Sequence, residues 1–330
     1  MVIKVDVGDD RLEAFARAAL TQYGIGPDAT LSLLNISENA TYQVDDPASG
    51  KRTVLRIHRP GYHSRAAIES ELTWLNTLRD SQVVRTPAVL PATSGDGVVL
   101  AAIAGGETRQ AVMFDWCPGI EPPEDRLVED FHQLGQITAR LHEQAKHWRR
   151  PANFTRFTWD FETSLGEHGH WGSWRDGMGV GLEEAEVLGR AASLMDRRLQ
   201  AFGAGPDKFG LIHADLRLAN LLLDGDDIYV IDFDDCGFGW FLYDLGSAVS
   251  FIEHYPQIPE MVASWSEGYR TVAPLSAADE RELQTFIMFR RLLLVSWIGT
   301  HSGTDIAVAL GEEYSATSCV LAERYLSEFS

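Results

Sequence analysis

At 330 residues the chain is long for one simple core, so two lobes are expected. Its 28 Lys and Arg stand against 48 Asp and Glu, a formal net charge of -20 that excludes a nucleic-acid surface and leaves solubility, or attraction of cationic substrates, as the use of the acidity. Cys117, Cys236 and Cys319 are far apart and form no CxxC pair, which excludes a disulfide framework and a zinc site; no signal layout or membrane-length apolar run is read, so a cytoplasmic, non-membrane protein is expected.

Residues 11–24, RLEAFARAALTQYG, have helical spacing and stop at Gly24, and read as a peripheral helix. ATYQV (40–44) and KRTVLRIH (51–58) read as two strands around the turn-rich DDPASG. Alternation on the second strand puts Val54, Arg56 and His58 on one face. In the helix SRAAIESELTWLNTLRD (64–80), Ile68, Leu72, Trp74, Leu75 and Leu78 span one arc, and Glu71 falls inside it. A carboxylate on a packed face costs several kcal/mol unless paired, so Glu71 either has a cation or reaches water at the helix edge. Glu69 points to solvent.

AVMFDWCPGI (111–120) reads as a strand ended by Pro118 and Gly119, after which the composition turns helical. The expected division is therefore a lobe over 1–114 and a lobe over 115–330, with a hinge at about 113–119. Residues 129–148 carry Phe131, Leu134, Ile137, Leu141, Ala145 and Trp148 as a core-facing helical stripe. His132, His142 and His147 on it read as polar helix residues rather than metal ligands. Residues 157–181, rich in Trp and Gly, show no sustained period and form either a surface excursion or a segment covering the substrate. His168 and His170 there lack a third ligand. Helices are expected again over 182–202 and from 277 onward.

The stretch LIHADLRLANLLLDGDDIYVIDFDD (211–235) carries the chemistry. If 221–223 and 228–231 form a tight hairpin, its outer ends lie side by side and Asn220 approaches Asp232. An amide oxygen with a carboxylate is hard oxygen ligation suited to Mg²⁺ shared with phosphate. Asp215, five residues before Asn220, is placed to take a proton from an attacking hydroxyl. This is the HxDxxxxN loop followed by a metal-binding Asp that serves kinase-like phosphotransferases.

With ENATYQV, VLRIHRPG, HADLRLANLLL, VIDFDD and YDLG, the chain resembles the aminoglycoside phosphotransferase and choline kinase superfamily, nearest to the homoserine kinase type II and stress response kinase A group. The resemblance covers roughly residues 30–320. It implies an α+β, bilobal protein-kinase-like fold: a small nucleotide-binding lobe with an antiparallel sheet plus helix, and a larger, mainly helical lobe that binds substrate and carries the catalytic loop. It also implies transfer of the γ-phosphoryl group of ATP, or GTP, to a hydroxyl.

By the same resemblance, Asp215 is the catalytic base, Asn220 and Asp232 are the Mg²⁺ ligands, His213 is a structural member of the loop and Asp244 braces it. Arg56, paired with Glu71, holds the phosphates where kinases usually have Lys. Val54 covers the adenine, Met113 leads into the linker, and the backbone of Asp115 and Cys117 faces the adenine edge. No glycine-rich loop is present; NISENA stands in its place, and it is either a loop whose Ser37, Glu38 and Asn39 backbone N–H groups face phosphate or an ordinary strand connection. Asp234 and Asp235 either assist a second metal or are solvated. Trp159, Trp171, Trp174, Arg290, Arg291 and Trp297 either line the acceptor site or are packing aromatics and surface arginines. The expected acceptor is a small-molecule hydroxyl, cationic if the acidity attracts it; a protein Ser/Thr hydroxyl and a catalytically silent nucleotide-binding module are the alternatives.

Overall fold

The computed structural model describes residues 10–36 and 39–329. Contacts divide the chain into two compact units: one takes residues up to Gly119 together with Arg150–Thr155 and Asp224–Asp234, and the other takes Ile120–Arg149, Arg156–Leu223 and Asp235 onward. The division is not contiguous in sequence. Asp232 and Asp234 thus fall in the first unit, and Asp235 in the second.

The first unit runs α1 (Asp10–Gln22), β1 (Thr30–Ile36), β2 (Ala40–Asp46), β3 (Lys51–Ile57), α2 (Arg65–Asp80), β4 (Val89–Leu90), β5 (Val98–Ala102) and β6 (Thr108–Asp115). The strands pair antiparallel in the order β1-β2-β3-β6-β4, with β5 also on β6. Central β3 sets Arg56 opposite Thr41 on one side and Val112 on the other. The helix read as peripheral is in fact a layer of the core: Phe15, Ala16, Ala19 and Leu20 of α1 are buried with Val44, Leu55, Ile57, Ala111 and Met113. Its small alanines permit close approach to a sheet face that would otherwise be wet. Helix α2 begins where Ser64 accepts a hydrogen bond from the Ala67 N–H, an N-cap that satisfies one of the donors a helix start leaves open.

The second unit contains α3 (Leu127–His147), β7 (Phe157–Trp159), α4 (Phe161–Leu165), α5 (Leu182–Phe202) and β8 (Phe209–Ile212). The chain then passes through β9 (Leu221–Asp224) and the turn into β10 (Asp227–Val230), where it crosses to the first unit. On its return it forms β11 (Gly237–Trp240), α6 (Tyr243–Ala248), α7 (Ile258–Arg270), α8 (Ala277–Glu280), α9 (Leu283–Thr300) and α10 (Asp305–Phe329), the last interrupted at Gly311. Helix α9 is buried nearly all round, from Leu283 to Ile298, so that Arg290 and Arg291 lie inside the unit.

Two glycines let α3 and α7 cross closely. A Cβ on Gly135 would lie 2.1 Å from the Trp265 carbonyl oxygen, and one on Gly268 would lie 2.0 Å from that of His132. β11 pairs parallel to β7 and antiparallel to β8. GFGW does not read as a strand by propensity; glycine is required because a Cβ at Gly237 would meet the Phe157 carbonyl oxygen at 2.6 Å and one at Gly239 the Ile212 side chain at 2.6 Å. The aperiodic segment 157–181 contributes β7, α4 and a 3-10 turn at Trp174–Asp176. No helix among the described residues is long and apolar enough to cross a membrane.

Candidate active site

In the first unit, Glu71 finds its cation: Arg56 Nη2 lies 2.6 Å from Glu71 Oε1, with the carboxylate fully buried. Arg56 Nη1 also lies 3.8 Å from Oδ1 of both Asp232 and Asp234, and the guanidinium stands over the Phe114 ring. Burial disfavours the Arg56 charge, but Glu71, Asp234 and Asp232 outweigh it and raise its pKa.

Of the two readings open for Asp234, a metal-assisting or a solvated carboxylate, its burial removes the second. It is buried, with His58 Nδ1 3.6 Å from Oδ1 and His63 Nε2 3.6 Å from Oδ2. Burial pushes its pKa up, yet Arg56 and the two histidines hold it well below the usual carboxylate range. His58 was legible as a neighbour of Arg56 on the β3 face; His63, in a loop, carried no signal. Asp232 is exposed, in a left-handed conformation with φ 59°. Aspartate, like asparagine, enters this region more readily than most residues other than glycine.

The remaining first-unit candidates are placed as follows. Val54 is half-buried and Met113 is buried. The Asp115 N–H donates to the Ala88 carbonyl at 2.8 Å and is thereby committed. The Cys117 thiol is pushed up to about 11 by burial and by Asp115. Asn39 Oδ1 accepts from the Arg59 N–H at 3.1 Å, tying the β2 start to the end of β3. Ser37 and Glu38 lie outside the described residues.

In the second unit the loop after β8 is held from beneath by Asp244, at the first turn of α6. Asp244 Oδ2 accepts from the His213 N–H at 3.2 Å and Oδ1 from the Ala214 N–H at 2.7 Å. Those two contacts support Ala214 at φ 66°, an unfavourable backbone for alanine. His142 Nε2 lies 3.0 Å from Asp244 Oδ2, and its Nδ1 lies 3.0 Å from the Tyr269 hydroxyl. Burial lowers the His142 pKa against the opposing pull of Asp244. The neutral ring therefore donates to Asp244 and accepts from Tyr269, whose hydroxyl burial keeps protonated. Helix periodicity identified His142 only as a polar residue on a packed helix; its partners lie 102 and 127 positions away.

Asp215 follows directly. Its carboxylate accepts from Asn220 Nδ2 at 2.9 Å, from Arg290 Nη2 at 2.9 Å, and from Arg217 Nε at 3.2 Å. Asn220 Nδ2 also donates to the Asp215 carbonyl at 2.7 Å. With the amide nitrogen committed to Asp215, Asn220 Oδ1 is the atom that remains for a cation. Ser247 Oγ accepts from the Leu216 N–H at 3.2 Å and completes the support of the loop.

The six acceptor-lining candidates separate into groups. Arg290 stands 5.2 Å from the Trp171 ring centre and donates to the Tyr243 hydroxyl, while Trp159 stacks on Tyr243, so these lie in one network with Asp215. Trp297 joins it indirectly: it packs on Phe251, whose ring lies under Arg217 at 5.7 Å. Arg291 is drawn off elsewhere, its Nη1 2.7 Å from the buried Glu253 and its guanidinium on the Tyr314 ring. Trp174 is fully buried beneath Arg175. Neither arginine is a surface residue. Sequence reading missed Tyr243 and Phe251; the latter, at φ 72°, offers no pattern from which to find it.

The model of the phosphotransferase enzyme family matches residues 31–280. The chain belongs to that family. Among solved structures, a microcompartment-associated aminopropanol kinase is 49% identical to this phosphotransferase, with TM-score 0.89 over 96% of this chain and 98% of that one. An amicoumacin kinase of Bacillus subtilis (strain 168) is 26% identical over 308 residues, 89% of this chain and 86% of its own. A choline/ethanolamine kinase family protein from Mesorhizobium loti, at 15% identity, shares the fold with TM-score 0.65 over 96% of this chain and 97% of that one. The phosphotransferase has the kinase-like α+β fold of these relatives, and it is a kinase that acts on the hydroxyl of a small molecule. As a kinase it uses a nucleotide and a divalent cation.

Proposed function

We propose that this chain transfers the γ-phosphoryl group of ATP to the hydroxyl of a small cationic amino alcohol, with Mg²⁺ as the divalent ion, in the cytoplasm. The first unit takes the nucleotide and the second supplies the catalytic loop and the acceptor site. The observation that carries the reading is the loop around Asp215: its backbone is held by Asp244 and Ser247, and its carboxylate by side chains that leave Asn220 Oδ1 open. The relative named for aminopropanol supports the amino-alcohol class. So does charge. Arg290 and Arg291, the two cations among the acceptor-lining candidates, are already matched by Asp215 and Glu253, within a chain of net charge -20.

The residue roles follow from this reading. Arg56, fixed by Glu71, holds phosphate oxygens; Val54 and Met113 contact the base; the Asp115 carbonyl and the Cys117 backbone face its edge; Asn39 presents its backbone N–H group to the phosphates. Asn220 Oδ1 and the Asp232 carboxylate are the protein's ligands for Mg²⁺. These hard oxygens suit it. Phosphate oxygens and waters would complete the shell of such an ion. When bound, the ion neutralises charge on the phosphates.

Asp215 orients the acceptor hydroxyl and takes its proton. The hydroxyl oxygen bonds to the γ-phosphorus, the bond from that phosphorus to the β,γ-bridging oxygen breaks, and ADP leaves with the bonding pair. Trp171 and Trp159 border the acceptor side through their contacts with Arg290 and Tyr243. The test is Mg²⁺-dependent ADP release with amino alcohols, hydroxy amino acids, sugars and aminoglycosides as acceptors. Amino alcohols, aminopropanol among them, are expected to show the highest kcat/KM; faster turnover of a hydroxy amino acid would overturn the cationic-acceptor assignment.

A further inference from the structure

We infer that Arg290 is a positioning residue for Asp215, rather than a binder of substrate or of transferred phosphate. The inference rests on the assignment of Asp215 as the catalytic base. The Arg290 side chain is buried and its three nitrogens are all engaged: Nε donates to Ser250 Oγ at 3.1 Å, Nη1 to the Tyr243 hydroxyl at 2.8 Å and to the Ala214 carbonyl at 3.2 Å, and Nη2 to Asp215 Oδ1 at 2.9 Å. One planar group thus grips Asp215 through its carboxylate and Ala214 through its backbone. Ala214 is the strained residue, and its N–H is held from the other side by Asp244.

A lysine would keep the charge, but its single nitrogen cannot reproduce the three-nitrogen span. Arg217 contrasts with it: it sits two residues from Asp215, makes longer contacts of 3.2 to 3.3 Å, and its side chain is 27% exposed. It can leave Asp215 when an acceptor arrives; Arg290, buried on α9 and held by Tyr243 of α6 and by Ser250, cannot. With Arg217 displaced, the Arg290 and Asn220 contacts still point the carboxylate and leave lone pairs for the acceptor hydroxyl.

The test compares Arg290→Gln, Arg290→Lys and Asp215→Asn, alone and as the Asp215→Asn/Arg290→Gln double variant, by steady-state kinetics on folded protein and by equilibrium binding of Mg·AMP-PNP. Arg290→Gln is expected to lower kcat about 100-fold, the scale of a small misplacement of a reacting group, while KM for the acceptor and affinity for Mg·AMP-PNP change less than about threefold. Arg290→Lys should recover part of kcat, and the double variant should be no slower than Asp215→Asn. If Arg290 instead binds the acceptor, KM rises with kcat kept at saturation, which overturns the inference. If it is only structural, the melting temperature falls while kcat per folded molecule is unchanged, which also overturns it. Should Asp215→Asn itself retain full turnover, the reading of Asp215 fails; that outcome is distinct from normal kcat in Arg290→Gln beside an inactive Asp215→Asn.

Discussion

Replacing Glu71 by Gln removes one charge from a fully buried contact while keeping its size. The pair has Arg56 Nη2 2.6 Å from Glu71 Oε1. With charge centres about 4 Å apart and an effective dielectric of about 20, the lost attraction is about 4 kcal/mol. Against this, glutamine can still accept a hydrogen bond worth about 1 kcal/mol, and removing a buried charge also removes its desolvation cost. Arg56 moreover keeps Asp232 and Asp234, each at 3.8 Å. The net loss should be about 1 to 3 kcal/mol, a melting temperature lower by roughly 2 to 12 °C. The functional loss should be larger in proportion: with Glu71 neutral, the two remaining carboxylates draw Arg56 off the position the phosphates require, and nucleotide affinity should fall about tenfold or more. Calorimetry of the nucleotide-free protein and titration with Mg·AMP-PNP read the two effects. A Glu71→Gln protein that melts and binds nucleotide like the parent would refute the view that this ion pair sets the position of Arg56.

Three further outcomes are expected. Asp215→Asn should cut turnover by about 10²- to 10⁴-fold yet bind Mg·AMP-PNP normally; loss of nucleotide binding alongside activity would count against its role as a base. His142 has a lowered folded pKa, so the unfolded chain takes up its proton first. Its neutral form contributes stability above the ordinary histidine pKa of about 6.5, and that contribution is lost as pH falls below it, by up to about 1.4 kcal/mol per pH unit. Denaturant titrations between pH 7.5 and 5.5 should therefore show a shallower pH dependence for His142→Gln than for the parent, and equal slopes would contradict this. Gly268→Ala, with its Cβ directed at the His132 carbonyl, should destabilise by about 1 to 3 kcal/mol or more, whereas Gly26→Ala, which has open space, should be near neutral in the same melts.

What local sequence determined was whatever depends on spacing within one element or one loop. The carboxylate of Glu71 on a packed helical arc demanded a cation, and alternation on β3 put Arg56 and His58 on one face. The order His213, Asp215, Asn220, Asp232 announced phosphoryl transfer because the four stand within one loop and the adjoining strands. Tertiary structure alone decided which distant groups serve those residues. Asp234 stood open between a metal-assisting and a solvated acid until burial set it against His58, His63 and Arg56. His142 became the support of Asp244 only when α3 was laid beside the catalytic loop. Arg290 and Arg291 are adjacent and alike in sequence, but consecutive residues on a helix point about 100° apart, and inside a buried helix that angle sent one to Asp215 and the other to Glu253. A buried charge must find its counter-charge wherever packing puts one, and that partner is a property of the folded arrangement, with no fixed spacing along the chain.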